Sequence, residues 1–304
     1  MATHGSGSAF PTAALVCAMR AEATRLGIDP DLGEPDMLAE SFAGDLGRAF
    51  LNAFRAAGGS TPEGEARGII HRTNYYDAAM LQAVQSGCTQ VLLLGSGLDT
   101  RAWRLPLGEG VTVFEVDVAC AHEFKRERLA EIEQEQPIRD GTTESHAKKL
   151  AHLRGAKCKR VEVDADLSEA RWGRLVADAG FDMERPAFIL AEGLLMYLPD
   201  KDVTEGLFKQ VRGLMAPGSW FMGCAFVSGL GCADAADNGV MMKFGCAWTF
   251  KFESADEVRD ALEATGFGSV TLKQAQIFFD QGAGLVQTSS PGYQYFSARR
   301  DTEA

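Results

Sequence analysis

Apolar residues recur along this chain with two different periods, and the change between them falls near residue 87. Before it the spacing is helical. Leu15, Met19 and Leu26 share a face over residues 11–27, with Pro11 suited to the first turn and Gly27 to the stop. Leu38, Phe42, Leu46, Phe50 and Phe54 form an i, i+4 stripe that predicts a second helix over 36–57. The glycine-bearing stretch 58–64 reads as a loop, and a third helix is expected over 70–86. From Val91 onward, short apolar runs alternate with helical patterns. Strands are expected at 91–95, 111–117, 159–163, 187–192, 219–226, 268–274 and 293–299. The clearest helix between them covers 200–215, with Val203, Leu207, Val211 and Leu214 on one side. Ser254 and Glu257 form a capping box that opens another, which Gly266 closes. The charged stretch 122–136, His122 included, reads as a solvated helix face.

Five apolar runs with crossover helices, followed by two late strands, predict an α/β fold: a Rossmann-like, doubly wound sheet of seven strands with helices on both faces. Residues 1–86 would form an N-terminal helical cap, and 87–304 the main domain. The turn from Ala216 to Ser219 leads from a helix directly into the fifth strand. Within the main domain, 228–252 is studded with glycine and carries Met241, Met242, Phe244, Trp248 and Phe250. A segment of that length suits an apolar lid over a flat substrate or a satellite core under a loop.

Composition narrows the function. The chain has 304 residues, 46% of them hydrophobic, and a formal net charge of −12. That balance argues against nucleic acid and against an anionic membrane surface, both of which favour clustered Lys and Arg. No apolar run approaches ~18 residues, so no membrane span is expected. Seven scattered cysteines show no C-x-x-C spacing, which suggests reduced thiols rather than zinc or a disulfide framework. Residues 1–8 lack the basic start and apolar core of a signal peptide, so a cytoplasmic location is expected. No metal triad is visible, and oligomeric state is not legible.

The chemistry concentrates in VLLLGSGLDTR, from Val91 to Arg101. An apolar strand ends in Gly95, Ser96 and Gly97, which allow a sharp turn and close approach of a ligand. The next strand ends in Asp117, placed to accept both hydroxyls of a ribose. A dinucleotide fingerprint needs a third small residue where Thr100 stands, and Asp99 would repel a pyrophosphate. A nucleoside cofactor without phosphate fits better, and S-adenosyl-L-methionine is that cofactor. A nicotinamide-dependent reductase is disfavoured further, because Pro199 interrupts the only Tyr-x-x-x-Lys pair, Tyr197 and Lys201. A non-catalytic binder on the same fold is the third reading. Gly95, Asp117, Asp166 and Glu192 all fall at or just past strand ends, where open parallel sheets bind ligands. Glu192 follows the apolar run from Phe188 to Ala191, where a carboxylate is costly unless paired.

These segments, with FEVD (114–117), DADL (164–167) and AEGLLMYL (191–198), resemble the leucine carboxyl methyltransferase family. Within that family they resemble the bacterial branch that methylates small molecules, polyketide carboxylates among them. The resemblance implies a class I methyltransferase fold and methyl transfer to oxygen. It implies that Gly95 and Gly97 line the cofactor, Asp117 holds its ribose, Asp166 and Leu167 frame its adenine, and Glu192 sits near its methionine portion. It also implies that Arg72 pairs with the cofactor carboxylate. Residues 228–249 have no counterpart in the protein-phosphatase enzymes of the family, which puts a protein substrate in doubt; a small-molecule acid is the expected substrate.

A carboxylate, with its pKa of ~4, is already nucleophilic at neutral pH and needs no base, whereas a phenol at ~10 does. His71, beside Arg72, is the candidate base; Tyr76 and Tyr197 could reach the substrate, Tyr197 also as a catalytic group. Met241, Met242, Phe244 and Trp248 are expected to cover it. His146 and His152 read as surface residues. The expected product is the methyl ester of a polyketide-like or aromatic acid, with hydroxyl methylation as the alternative.

Overall fold

Val91 and Leu93 of the first strand join one hydrophobic cluster, while Leu92 and Leu94 join a second. This is the two-residue alternation of a strand buried on both faces. The computed structural model describes residues 10–58, 61–134, 157–228, 235–280 and 285–301. Its sheet has seven strands in the order β3-β2-β1-β4-β5-β7-β6. They are β1 (Gln90–Leu94), β2 (Thr112–Asp117), β3 (Lys159–Asp164), β4 (Ala187–Ala191), β5 (Trp220–Phe226), β6 (Gly268–Asp280) and β7 (Leu285–Arg299). The first five run parallel, and β7 lies antiparallel between β5 and β6. Strand order reverses between β1 and β4, which opens a crevice at their carboxyl ends.

Helices cover both faces. On one lie α1 (Phe10–Arg25), α2 (Ala39–Gly58) and α3 (Pro62–Gln85), with α4 (Arg101–Arg104) and α5 (Ala119–Gln134). Phe42, Phe50 and Met80 share a single core with Val91, Leu93 and Phe188 of the sheet. The second face carries α6 (Trp172–Asp178), α7 (Lys201–Leu214) and α9 (Ala255–Ala264), whose Trp172, Leu207, Phe208 and Leu262 pack on Leu92 and Ile189. The segment 228–252 contains α8 (Ala235–Lys243). Among the described residues no helix is long and apolar enough to cross a membrane.

Several boundaries depart from the sequence pattern, each for a local reason. α3 begins at Pro62, within the expected loop, because Thr61 accepts a hydrogen bond from the Gly64 N–H and Pro62 takes the first turn. These two residues outweigh the glycines that follow. α2 bends at Gly44, whose φ of 53° leaves the helical region. Leu26 is exposed rather than facing the core. At α9 the Ser254 hydroxyl caps the Glu257 N–H, while the Glu257 carboxylate reaches back to the N–H of Glu253. β6 and β7 extend well beyond the expected strands, as a hairpin that passes the carboxyl end of β5. The largest correction concerns α5. His122 and Lys125 are wholly buried, with Lys125 Nζ 2.8 Å from Glu115 Oε2. Hydropathy alone cannot foresee a charge drawn inward by a partner on the neighbouring strand. His146 and His152 lie outside the described residues.

Candidate active site

The turn after β1 is built from glycine because other parts of the chain press on it. Gly95 and Gly97 hold φ of 65° and 45°, in the left-handed region that side chains disfavour. A Cβ on Gly95 would stand 3.0 Å from Leu194 Cδ1, and one on Gly97 3.0 Å from Ala13 Cβ of α1. The N–H groups of Gly95 and Ser96 donate to Val116 O. That of Gly97 donates to Asp117 Oδ2 at 2.7 Å, and Val118 N–H to Oδ1 at 2.8 Å. Burial raises the Asp117 pKa above its ordinary value, against the opposing pull of these two bonds. Each carboxylate oxygen accepts one bond from the chain and keeps a second lone pair for a ligand.

Across the crevice, Glu192 follows directly on β4. Arg72 Nε donates to its Oε1 and Arg101 Nη2 to its Oε2, both at 2.7 Å. Arg101 also donates through Nε to Asp77 Oδ1 of α3 at 2.7 Å, and through Nη1 to Asp99. Arg104 pairs with the other oxygen of Asp77. Burial acts to raise the pKa of Glu192, but Arg101 and Arg72 outweigh it and hold the group below its ordinary value. Asp99 is held low by Arg101 in the same way, against its own burial. The group therefore carries three guanidinium and three carboxylate charges, and pairing makes their burial tolerable. Thr100, where a dinucleotide fold would have a third glycine, donates to Asp36 Oδ2 at 2.7 Å, and Asp36 also binds Arg20.

These elements surround a cavity of about 690 Å³ at the carboxyl edge of the sheet. Arg72, Gly95, Ser96, Gly97, Asp117, Asp166, Leu167 and Glu192 all line it. Asp166 stands exposed at its rim, with Oδ1 accepting from the N–H and hydroxyl of Ser168. Tyr197, Met241 and Trp248 line the other end with Phe54 and Phe226. Trp248 packs on Phe226 at 4.7 Å and donates from Nε1 to Tyr197 Oη at 3.1 Å. Burial pushes the Tyr197 phenol up to about 12, so it stays protonated at neutral pH and can donate a hydrogen bond. Thr249 pins this segment to the turn after β4 through Met196 O and Leu198 O.

Four expected site residues lie elsewhere. His71 is one position from Arg72, about 100° around α3. Its ring faces Phe278 of β6 at 6.1 Å rather than the cavity. Tyr76 is fully buried, edge-on to Tyr75 and Tyr295, and serves packing. Met242 points outward from α8 at 61% exposure, while its neighbour Met241 points in. Phe244 stacks on Phe50 of α2 at 4.0 Å and anchors α8 there. The Tyr197 and Lys201 pair is split between a 3-10 turn and the start of α7, and Lys201 binds Glu257. Other lining residues went unrecognised in the sequence: Thr12, Val16, Met19 and Arg20 of α1, Arg101, and Tyr293 of β7. Only Arg101, directly after the glycine motif, had a local signal.

Comparison with known proteins adds an independent line. The family model described as leucine carboxyl methyltransferase matches residues 13–211. A protein of Mycobacteroides abscessus named a putative S-adenosyl-L-methionine-dependent methyltransferase is 40% identical over 149 residues, 49% of this chain and 42% of its own length. One of the same name from Mycobacterium sp. (strain KMS) is 38% identical over 218 residues, 69% of this chain and 64% of its own length. The chain thus spans less than two thirds of either relative. A DUF574 family protein from Streptomyces avermitilis superposes with a TM-score of 0.62 at 12% identity, over 97% of this chain and 98% of its own, a likeness of fold.

Proposed function

We propose that this chain, which belongs to the leucine carboxyl methyltransferase family, transfers a methyl group from S-adenosyl-L-methionine to the carboxylate of a small apolar acid. The relatives' names support the cofactor, and the residues present fit it. Asp117 has a spare lone pair on each oxygen for the two ribose hydroxyls. Asp166 and Leu167 flank the adenine. Glu192 and Arg72 meet the amino and carboxylate groups of the amino-acid end. Bound there, the sulfonium supplies an electrophilic methyl group and leaves as a neutral thioether.

One observation carries the choice of acceptor. Among the described residues, those lining the cavity include no His, Lys or Cys; Asp99 and Glu192 are bound to arginines, and the other two carboxylates, Asp117 and Asp166, belong to the cofactor end. A phenol or alcohol would find no free base beside the apolar end of the cavity. A carboxylate needs none, since it is ionised above pH ~5. Phe54, Phe226, Met241 and Trp248 enclose the body of the acid and exclude water. Tyr197, protonated and fixed by Trp248 and Thr12, donates to one carboxylate oxygen and leaves the other facing the methyl group. Such alignment alone is worth about 7–11 kcal/mol of the barrier. The C–S bond breaks as the C–O bond forms, and the acid loses its charge on becoming an ester.

The test is to supply methyl-labelled S-adenosyl-L-methionine with a panel of aromatic and polyketide-like acids, then treat the product with mild base. Label released as methanol supports the ester. A base-stable methyl ether overturns it in favour of a hydroxyl acceptor.

A further inference from the structure

Arg101 joins three segments that are distant in sequence. Its guanidinium meets Asp77 of α3, Asp99 of the turn after β1, and Glu192 at the end of β4. The side chain is 6% exposed and Asp77 wholly buried. Asp77 does not line the cavity, yet it orients the Arg101 side chain through Nε and is itself held by Arg104. A guanidinium has enough donors in one plane to satisfy three carboxylates at once, which an ammonium on a flexible stem does not match. The β1 turn and the β4 end, the two sides of the crevice, are thereby held at one separation.

We infer that Asp77 and Arg101 form a positioning strut that sets the Glu192 carboxylate for the amino-acid end of the cofactor. The inference rests on the cofactor reading above. Arg72 leans on Glu192 in this structure. To meet a ligand carboxylate, Arg72 must share its charge with that ligand, and Glu192 then needs a second cation to stay ionised and in place. Arg101 is that cation. The strut acts on the crevice between β1 and β4 and makes no direct bond to Asp117, which the backbone of Gly97 and Val118 holds. Arg101 and Asp77 are thus positioning residues for one end of the ligand only.

Calorimetry with two ligands tests this. S-adenosylhomocysteine carries the amino-acid end, and 5′-methylthioadenosine keeps the ribose and adenine without it. Arg101→Lys and Asp77→Asn are each expected to weaken S-adenosylhomocysteine at least tenfold and to leave 5′-methylthioadenosine within twofold of the parent protein. The double variant should lose little more than either single one, because both changes break the same strut. Equal losses for both ligands, or parental S-adenosylhomocysteine affinity in Asp77→Asn, overturn the inference. If circular dichroism shows that Asp77→Asn does not fold, the ligand ratio in Arg101→Lys decides alone. Failure of the parent protein to bind either ligand would instead overturn the cofactor reading.

Discussion

Gly97 donates its backbone N–H to Asp117 Oδ2 at 2.7 Å, so the turn after β1 and the end of β2 hold each other in place. Asp117→Ala removes this tether together with both acceptors proposed for the ribose. Loss of a buried, charged hydrogen-bonding group costs about 2–3 kcal/mol, or roughly 30- to 150-fold in affinity. Titration calorimetry with S-adenosylhomocysteine reads this directly, and unchanged affinity would refute the ribose assignment.

The same turn tests the packing of α1. Gly97→Ala places a Cβ in the left-handed region and against Ala13. The backbone conformation alone costs about 1–2 kcal/mol. Urea unfolding should show at least that loss, and Ala13→Gly in the same chain should recover only the steric excess. Full recovery would mean that the backbone conformation costs nothing.

Trp248 belongs to the apolar end of the cavity. Trp248→Ala removes the donor to Tyr197 and the ring against Phe226, neither of which belongs to the Gly97 and Asp117 end. The KM for the acceptor should rise about tenfold or more, in line with the loss of a well-packed aromatic, while S-adenosylhomocysteine affinity stays within twofold. Parallel losses in both would place Trp248 in the general core.

His71 faces Phe278, outside the cavity, and burial with nearby Lys273 pushes its pKa down. His71→Ala should therefore leave turnover within about twofold. With a carboxylate acceptor and a Tyr197 phenol at about 12, turnover should be flat from about pH 6 to 9. A rate that climbs with pH, or collapses in His71→Ala, would point to a base and a hydroxyl acceptor.

Stability should follow Glu192 at acid pH. Its folded pKa lies below the ordinary value, because Arg101 and Arg72 outweigh its burial. The contribution is present above the unfolded pKa and is lost as pH falls through the folded one. Urea unfolding should weaken below about pH 4.5, less steeply in Glu192→Gln, in which that titration is absent. An identical slope in both proteins would assign the acid sensitivity to other carboxylates.

The seven strands, and the gathering of the eight cofactor candidates around one cavity, follow from local signals in the chain. A strand buried on both faces reads as an apolar run, and the glycine turn and Asp117 follow at fixed steps along consecutive elements. Side-chain direction is not local in that sense. On α3, a single helical step separates Arg72, which enters the cavity, from His71, which turns to β6; on α8 a single step separates Met241 from Met242. Periodicity identifies such helices but leaves open which neighbour each face meets. The inward turn of Lys125 and the convergence of Asp77 and Glu192 on Arg101 depend on partners 10 to 91 positions away in the chain. No composition or spacing rule registers such pairings, because the favourable charge interaction exists only once the sheet has brought those segments together.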